Sequence, residues 1–423
     1  MTEILEFYQK QARAATSSVP WLAHMQHEAI TQLGKRGFPT RQDEDWKYTP
    51  VEGLLKQLFV QQNTGELTPS TQDLTLDIKP QLLLHNGSIE GLEALQKQLP
   101  SEVMILPLAD ALMNQPDLVK PYLGQILQQE HGFQFLNTAL IHYGVLIVIP
   151  AGVCIEKPIV LRHIQDRPEA IHLRHLIIAE RGSQASIIEV YKGSEDCSYL
   201  TNTITEIDVK EHANVTHYKI QQESMLAYHI GHLSVKQSAH SQFASHSFSL
   251  GGKLVRSDIS IHLQESFAGC LMNGIYAPTH GQHVDHHTCV FHNAPNCNSV
   301  QDYKGILTGH SRAVFNGKVL VAKDAQHTDA KQQNKNILLS AESEVDTKPQ
   351  LEIFADDVMC THGATVGQLD EEALFYLRTR GLSLLEAKHY LIKAFLTENC
   401  RLIPDGALFD WITTLLAQHM EAA

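Results

Sequence analysis

TEIDVKEHANVTHYKI, residues 205–220, contains two runs of alternating apolar side chains on either side of a short polar turn. Alternation with a period of two places every second side chain on the same face, which is typical of a β-strand. The same plan recurs in four further segments: HLIIAERGSQASIIEVY (175–191), LSVKQSAHSQFASHSF (233–248), ISIHLQESFAGCLMNGIY (259–276) and GILTGHSRAVFNGKVLV (305–321). Each segment therefore predicts a strand, a turn and a second strand.

The spacing of these turns predicts how the strands are stacked. Successive turns are separated by roughly 26 to 45 residues, a spacing typical of stacked coils and longer than that of sandwich strands. We therefore predict a parallel β-helix, in which each coil buries alternate side chains against the next coil. The pattern alone also allows an irregular antiparallel sandwich.

Helical signals flank this region on both sides. The first part is mostly helical, with short strand-like runs at 81–85 and 103–108 and a last helix near 118–129. After residue 367, Asp370 precedes one helix, and Ser383 with Glu386 forms a capping box for the next. The predicted organisation is an N-terminal, mostly helical domain (1–130), a β-helix core (131–367) and a C-terminal helical domain (368–423). Trp46 and Tyr48, in the polar segment PTRQDEDWKYTPVEGL (39–54), are expected to pack inward, with an exposed contact surface as the alternative.

Composition excludes several classes of function. The net charge of the 423 residues is −14, and no basic stripe is present, so nucleic acid is an unfavourable partner. The longest apolar run, residues 143–155, is too short to span a bilayer and contains Pro150. Glu3 and Glu6 lie where a secretory signal would be positively charged, so a cytoplasmic location is expected. Seven scattered cysteines without a CxxC pair favour reduced thiols.

The chain has no catalytic motif of the common classes. A phosphate-binding P-loop, a GxGxxG fingerprint and a GxSxG elbow are all missing from the sequence. A carbohydrate-active β-helix enzyme would need converging carboxylates, but adjacent residues such as Asp356 and Asp357 point to opposite faces of a strand. A non-enzymatic protein is therefore favoured, with a carbohydrate-active enzyme kept as an alternative.

Histidine is unusually frequent, and twelve of the 25 histidines lie between His212 and His292. The densest part is HGQHVDHHTCVFHNAPNC, His280 to Cys297, hereafter the histidine tract. Imidazole and thiolate groups bind zinc, iron or copper, but this spacing matches no closed zinc pattern. The sequence favours a solvated, histidine-rich turn, with a metal-binding or metal-storage role as the alternative.

A second candidate metal site lies in LEIFADDVMCTHGATVG, residues 351–367. Cys360 and His362 are two residues apart, so both side chains project from the same face of an extended strand. Together they supply two of the four ligands of a tetrahedral site. The residues alone also allow a buried cysteine beside a hydrogen-bonded histidine.

The segment VDTKPQLEIFADDVMCTHGATVGQLDEEALFYLRTRGL, residues 345–382, together with the preceding QNKNILLS, closely resembles the signature of the SufB/SufD family. The members of this family are scaffolds of the SUF iron–sulfur cluster assembly system. The PTRQDEDWKYTPVEGL segment resembles one that D-type members carry before their core. This resemblance implies a right-handed parallel β-helix between two helical domains.

The resemblance also implies partners and a cargo. A D-type chain is expected to pair with a B-type chain, SufB, and with the ATPase SufC, which docks on the C-terminal helices; sulfur donor proteins act indirectly. Iron or an iron–sulfur cluster would be held transiently at the SufB interface by His362 and Cys360 together with a B-type cysteine. Gly363 replaces the B-type glutamate, so this chain is not expected to build clusters alone. The resemblance leaves open a flavin in the whole complex, and an isolated chain is expected to pair with itself through free strand edges.

Overall fold

The computed structural model describes residues 2–61 and 81–422. Its helices are α1 (Thr2–Ala14), α2 (Pro20–Arg36), α3 (Glu52–Leu55), α4 (Leu92–Gln96), α5 (Leu108–Asn114), α6 (Pro116–Val119), α7 (Gly132–Ala139), α8 (Glu371–Thr379), α9 (Leu384–Cys400) and α10 (Gly406–Ala422), with a 3₁₀ helix at Glu44–Trp46.

Its strands are β1 (Gln81–His85), β2 (Ser88–Glu90), β3 (Met104–Pro107), β4 (Val145–Ile149), β5 (Ile159–Gln165), β6 (Ala170–Ala179), β7 (Gln184–Gly193), β8 (Leu200–Val209), β9 (Asn214–Gln222), β10 (Tyr228–Gln237), β11 (Gln242–Ser249), β12 (Leu254–Leu263), β13 (Gly269–Tyr276), β14 (His283–His292), β15 (Asn298–Leu307), β16 (Arg312–Val321), β17 (Thr328–Leu338), β18 (Glu344–Ile353) and β19 (Val358–Gly367).

The strands form a parallel β-helix with two long sheets. The ten-stranded sheet has the order β19-β17-β15-β13-β11-β9-β7-β5-β1-β2, and the nine-stranded sheet has the order β18-β16-β14-β12-β10-β8-β6-β4-β3. Each of about eight coils contributes one strand to each sheet, and successive coils pair in parallel. The predicted parallel β-helix is therefore confirmed, and an antiparallel sandwich is excluded.

Stacking in register creates continuous rows of side chains along the β-helix. Tyr228 on β10, for example, pairs with Leu200 on β8 and with Leu254 on β12. Inward rows form one large apolar core that includes Ile207, Val235 and Ile261, whose side chains are fully buried. Paired residues in neighbouring coils point to the same side of the sheet. A residue that points inward in one coil therefore has a partner that points inward in the next coil.

Several turns between coils require a left-handed backbone conformation. Gly182 adopts φ 68° at one such turn, and His212 (φ 59°) and His240 (φ 57°) adopt it at the next two. The rings of His212 and His240 stack with centroids 4.8 Å apart. Part of the histidine excess therefore lies in stacked turns rather than in a metal site.

The histidine tract is not a solvated turn, so that prediction was wrong. Residues 283–292 form β14, and a short turn leads to β15, which makes the tract an ordinary coil of the stack. His286 and His292 are fully buried inside the β-helix. The alternation was hidden because inward positions that are apolar in other coils are occupied here by imidazoles.

The terminal segments pack against the outer faces of the sheets. N-terminal side chains, including the buried Trp46, join Ile230 and Leu254 on the nine-stranded sheet, so the inward packing predicted for Trp46 is confirmed. α9 and α10 cover the ten-stranded sheet, where Ile392 and Leu408 pack among residues such as Tyr218. The described part of the chain contains no helix that is long and apolar enough to cross a membrane.

The N-terminal region differs from its prediction in two respects. β1 pairs in parallel with β5, and β3 pairs antiparallel with β4, so the short strands before residue 131 extend both sheets. The helix expected near 118–129 is limited to α6, Pro116–Val119, and is followed by turns. Those turns are fixed instead by Glu206, whose carboxylate accepts hydrogen bonds from the backbone N–H groups of Gly124 (2.9 Å) and Leu127 (3.1 Å).

The capping prediction for the C-terminal helices is confirmed. Asp370 accepts hydrogen bonds from the first backbone N–H groups of α8, and Ser383 and Glu386 form the reciprocal capping box of α9. Lys304 and Asn399 attach α9 to the β-helix: the Lys304 ammonium donates to the Phe395 carbonyl at 2.7 Å, and the Asn399 amide donates to Asn273 at 2.7 Å.

Replacing His286 with alanine should lower the free energy of unfolding by about 2–4 kcal/mol. The change removes a hydrogen bond of 3.0 Å with the Ser249 hydroxyl and a ring stacked on Tyr276. Chemical denaturation measures the loss, and the exposed turn residue His310, changed to alanine, is the control. Equal stability of both variants would contradict the buried position of His286.

Acid should destabilise the fold from about pH 6.5 downward. Burial lowers the pKa of His172 and His286 to about 3 and the pKa of His246 and His292 to about 4. Below about pH 6.5 the unfolded chain binds protons that the folded chain excludes, so each histidine costs up to about 1.4 kcal/mol per pH unit. Urea unfolding at pH 7.5 and pH 5.5 tests this, and equal midpoints would contradict it.

Candidate functional site

The last coil of the β-helix, formed by β18 and β19, has an open end. β18 and β19 are the terminal strands of their sheets, so each has a neighbour on one side only. Their side chains are mostly half-buried or exposed, including Ile353 (39% exposed) and Val366 (48% exposed). The end of the stack therefore presents apolar side chains and unpaired backbone groups to a further strand pair.

Cys360 and His362 lie on β19 in the inward-facing row. Cys360 pairs with Ala330 on β17, and His362 pairs with Gln332, whose side chain is buried and donates a hydrogen bond to Gln301 inside the β-helix. The expectation that Cys360 and His362 share one face is confirmed. Cys360 is half-buried and His362 is exposed, because residues 2–61 and 81–422 form no further coil beyond β19.

The pair offers a soft sulfur ligand and an imidazole at the mouth of the β-helix. Partial burial raises the pKa of the Cys360 thiol, so the group stays protonated at neutral pH until a metal displaces the proton. Among the described residues, no third His, Cys, Asp or Glu joins Cys360 and His362 in a group of three ligand atoms. The remaining ligands would have to come from another molecule.

The side chains of the histidine tract are divided between two faces of β14. His286 and His292 point inward and bond to the hydroxyl groups of Ser249 and Ser299. Outward, His283 bonds to the Thr49 hydroxyl at 3.0 Å, and His287 lies 3.1 Å from Asp285. The tract therefore has structural partners on both faces, which argues against a multi-ion storage segment.

A group of two histidines and one glutamate lies inside the β-helix. The ligand atoms of His163, His175 and Glu189 lie within 4.8 Å of one another. His175 Nδ1 accepts a hydrogen bond of 3.2 Å from the Val145 N–H group, so the neutral ring carries its proton on Nε2 and cannot also use that atom as a ligand.

Glu189 already accepts hydrogen bonds from Tyr191, from Thr205 at 2.9 Å and from His217 at 3.0 Å. Its two carboxylate oxygens are thus occupied by donors from the same interior. We assign this group to a buried polar network of the core, not to a metal site.

A second group was missed in the sequence: His131, His232 and Asp258, on the outer face of the nine-stranded sheet, also have ligand atoms within 4.8 Å of one another. His232 and Asp258 are directly paired on β10 and β12. An alignment of the repeated segments could have predicted that His232 and Asp258 are neighbours. His131 lies outside the repeats, so no sequence pattern indicated that it joins them.

Family models cover nearly the whole chain. The model described as "SUF system FeS cluster assembly, SufBD core domain" matches residues 162–395. The model of the SufBD protein N-terminal region matches residues 2–161.

Individual relatives agree over similar lengths. The iron–sulfur cluster assembly protein SufD of Escherichia coli is 34% identical over 92% of this chain and 91% of its own length. An iron–sulfur cluster assembly SufBD family protein of Synechocystis is 31% identical over 96% of this chain and 92% of its own. A chloroplast protein of Arabidopsis thaliana, ABCI7, is 28% identical over 96% of this chain and 88% of its own.

The fold is a parallel β-helix with helical ends, and its open coil carries an incomplete pair of metal ligands. The SufBD family models match both halves of this chain. The chain belongs to the SufBD family of iron–sulfur cluster assembly proteins.

Proposed function

We propose that this chain is a D-type scaffold subunit that acts in the cytoplasm, pairs with a B-type chain, SufB, and docks the ATPase SufC. The observation that carries the proposal is the exposed inward row of β19, which places Cys360 and His362 at the mouth of the β-helix. In the middle coils the inward rows are buried, as at Ile207, Val235 and Ile261, and a second β-helix would supply the next coil here.

The chemistry of the open coil fits a transient metal cargo. Thiolate and imidazole are suitable ligands for iron and for iron–sulfur clusters, and two ligands hold an ion weakly unless a partner adds more. Iron or a nascent cluster would therefore be held at the joint between the two chains and by neither chain alone. Because the chain supplies only two ligands, an isolated chain would not hold iron or a cluster.

An enzymatic alternative lacks support from the carboxylates considered for it. Asp356 and Asp357 lie in a bend before β19 and not in a strand, so the prediction that they point to opposite strand faces was wrong. The Asp357 carboxylate is 3.0 Å from His327 Nδ1. Its backbone N–H group donates to the Gln326 side chain at 2.9 Å. Asp357 is thus engaged in a local turn, which does not favour a role in glycoside hydrolysis.

SufC would dock on α8 and the start of α9. The side chains of Phe375, Leu385 and Tyr390 are 69%, 65% and 61% exposed. Exposed apolar side chains clustered on adjacent helices are typical of an interaction surface. β19 ends at Gly367 and α8 begins at Glu371, so only a short segment joins them. A displacement of α8 caused by SufC would therefore be transmitted directly to the open coil.

Changing His362 to alanine should reduce the iron and sulfide recovered per assembled complex at least about tenfold, because the half-site loses its nitrogen ligand. The melting temperature should stay nearly unchanged, since His362 is exposed. Cys360→Ser should have a similar or weaker effect. The matched control is Thr361→Ala, on the same strand and the opposite face.

The iron and sulfide content and the melting temperature of the complex are measured after co-expression with SufB and SufC. Iron and sulfide recovery from His362→Ala equal to that of the unmutated complex would remove His362 from the site.

Changing Leu385 to aspartate should abolish capture of SufC, because a charge would replace an exposed apolar contact. Deleting α9 and α10 would not test docking cleanly, because their inner faces cover Tyr218 and its neighbours on the β-helix. The deletion would expose this apolar surface and destabilise the fold. The control is Met113→Asp on α5, which is also exposed (55%) but distant in the fold.

Pull-down with SufC measures docking, and the isolated chain should hydrolyse no ATP because it has no phosphate-binding loop. Retained capture by Leu385→Asp would exclude this face.

A further inference from the structure

A polar cleft lies on the outer face of the nine-stranded sheet, and none of its lining residues belongs to β19. Its volume is about 590 Å³, and it separates the sheet from the segments around Trp46 and His131. The floor includes His232, Asp258 and His287, which are directly paired on β10, β12 and β14. The cleft is open enough for an ion and its water ligands to enter.

Three side chains in this cleft meet the geometric demands of a metal site. His131, His232 and Asp258 each offer a ligand atom, and these atoms lie within 4.8 Å of one another. His232 Nδ1 is 3.2 Å from Asp258 Oδ2. Two neighbouring ligands of one ion are about 3.0–3.4 Å apart when both bonds are about 2.1 Å long.

The nitrogen atoms of these two histidines are poorly satisfied within the protein. His131 Nδ1 and His232 Nε2 are buried, and neither has a hydrogen-bond partner among the described residues. The remaining His232 nitrogen, Nδ1, lies 3.2 Å from Asp258 Oδ2 and 3.4 Å from the Gln134 side-chain amide. Buried polar atoms without partners are costly, so a ligand that engages the imidazoles would be stabilising.

The surroundings of both rings favour the neutral imidazole, which is the form that binds metal. Burial, together with mutual repulsion with His232, lowers the pKa of His131 well below its usual range. Burial and the nearby Arg256 lower the pKa of His232 in the same direction. Burial thus acts in the same direction on both imidazoles.

The charges around the cleft leave room for a cation. Arg256 donates from Nε to Asp258 Oδ1 at 2.7 Å and from Nη1 to Asp285 at 2.5 Å, so one guanidinium is shared by two carboxylates. The other oxygen, Asp258 Oδ2, faces His232 Nδ1 at 3.2 Å. The two carboxylates together carry one more negative charge than the Arg256 guanidinium that they share, which favours a cation beside the imidazoles.

From this geometry we infer that His131, His232 and Asp258 bind a divalent first-row transition ion such as Fe²⁺ or Zn²⁺. Two histidines and one carboxylate leave coordination positions open, and these positions face the cleft. The site goes beyond the proposed function and does not depend on it, because it lies on the outer face and is contained in one chain. Its open positions would accept water or a small anionic ligand of the ion.

The test is an anaerobic titration of the full-length, unmutated chain with Co²⁺, whose visible absorption reports coordination. One equivalent should bind ahead of all others. His131→Gln and Asp258→Asn should each weaken that first equivalent at least about tenfold. His262→Gln is the matched control, because His262 also lines the cleft but is not one of the three ligands.

Unchanged affinity in His131→Gln and Asp258→Asn would overturn the inference. Loss of the first equivalent in His362→Ala would also overturn it, by assigning that ion to the open coil. X-ray absorption of the unmutated chain with one equivalent of Zn²⁺ decides the question even if a variant fails to fold. A shell of nitrogen and oxygen with imidazole scattering is expected, whereas a sulfur scatterer would contradict the site.

Discussion

The structure depends on the backbone ladder that joins each coil to the next in register. Every strand from β5 to β17 is paired on both sides, so the backbone groups of a coil are satisfied by its two neighbours. A stack of this kind necessarily has two ends. At the first end, β2 and β3 pair antiparallel with β1 and β4, and the helical segments cover the adjoining sheet. At the other end, the ladder stops at β18 and β19.

The open end connects the fold to its proposed role. An inward position is a buried core position in the middle of the stack and an exposed one at its last coil. Cys360 and His362 occupy such positions, so residue types that would be inert inside the core become available for ligation. The proposed site would therefore be a consequence of where the stack stops, and a partner β-helix that continues the stack would enclose the proposed cargo without any new fold.

Much of this could be predicted from the sequence, because the repeated period of two and the capping box are local signals. The common face of Cys360 and His362 follows from their spacing alone. The assignment of the histidine tract failed because buried imidazoles such as His286 count as polar in a pattern, although the core accepts them when they are neutral and hydrogen-bonded. The third ligand of the cleft, His131, could not be predicted, since it is brought to the sheet by tertiary packing of a segment outside the repeats.

Hydrogen exchange of the backbone amides tests the central claim, which is that a second β-helix completes the open coil. The measurement compares the chain alone, at a concentration where light scattering shows a monomer, with the chain bound to SufB. The account predicts that amides of β19, Val358–Gly367, exchange quickly in the monomer and become protected in the complex, whereas β10 is slow in both. Protection that arises only in the N-terminal segments, with β19 unchanged, would contradict it.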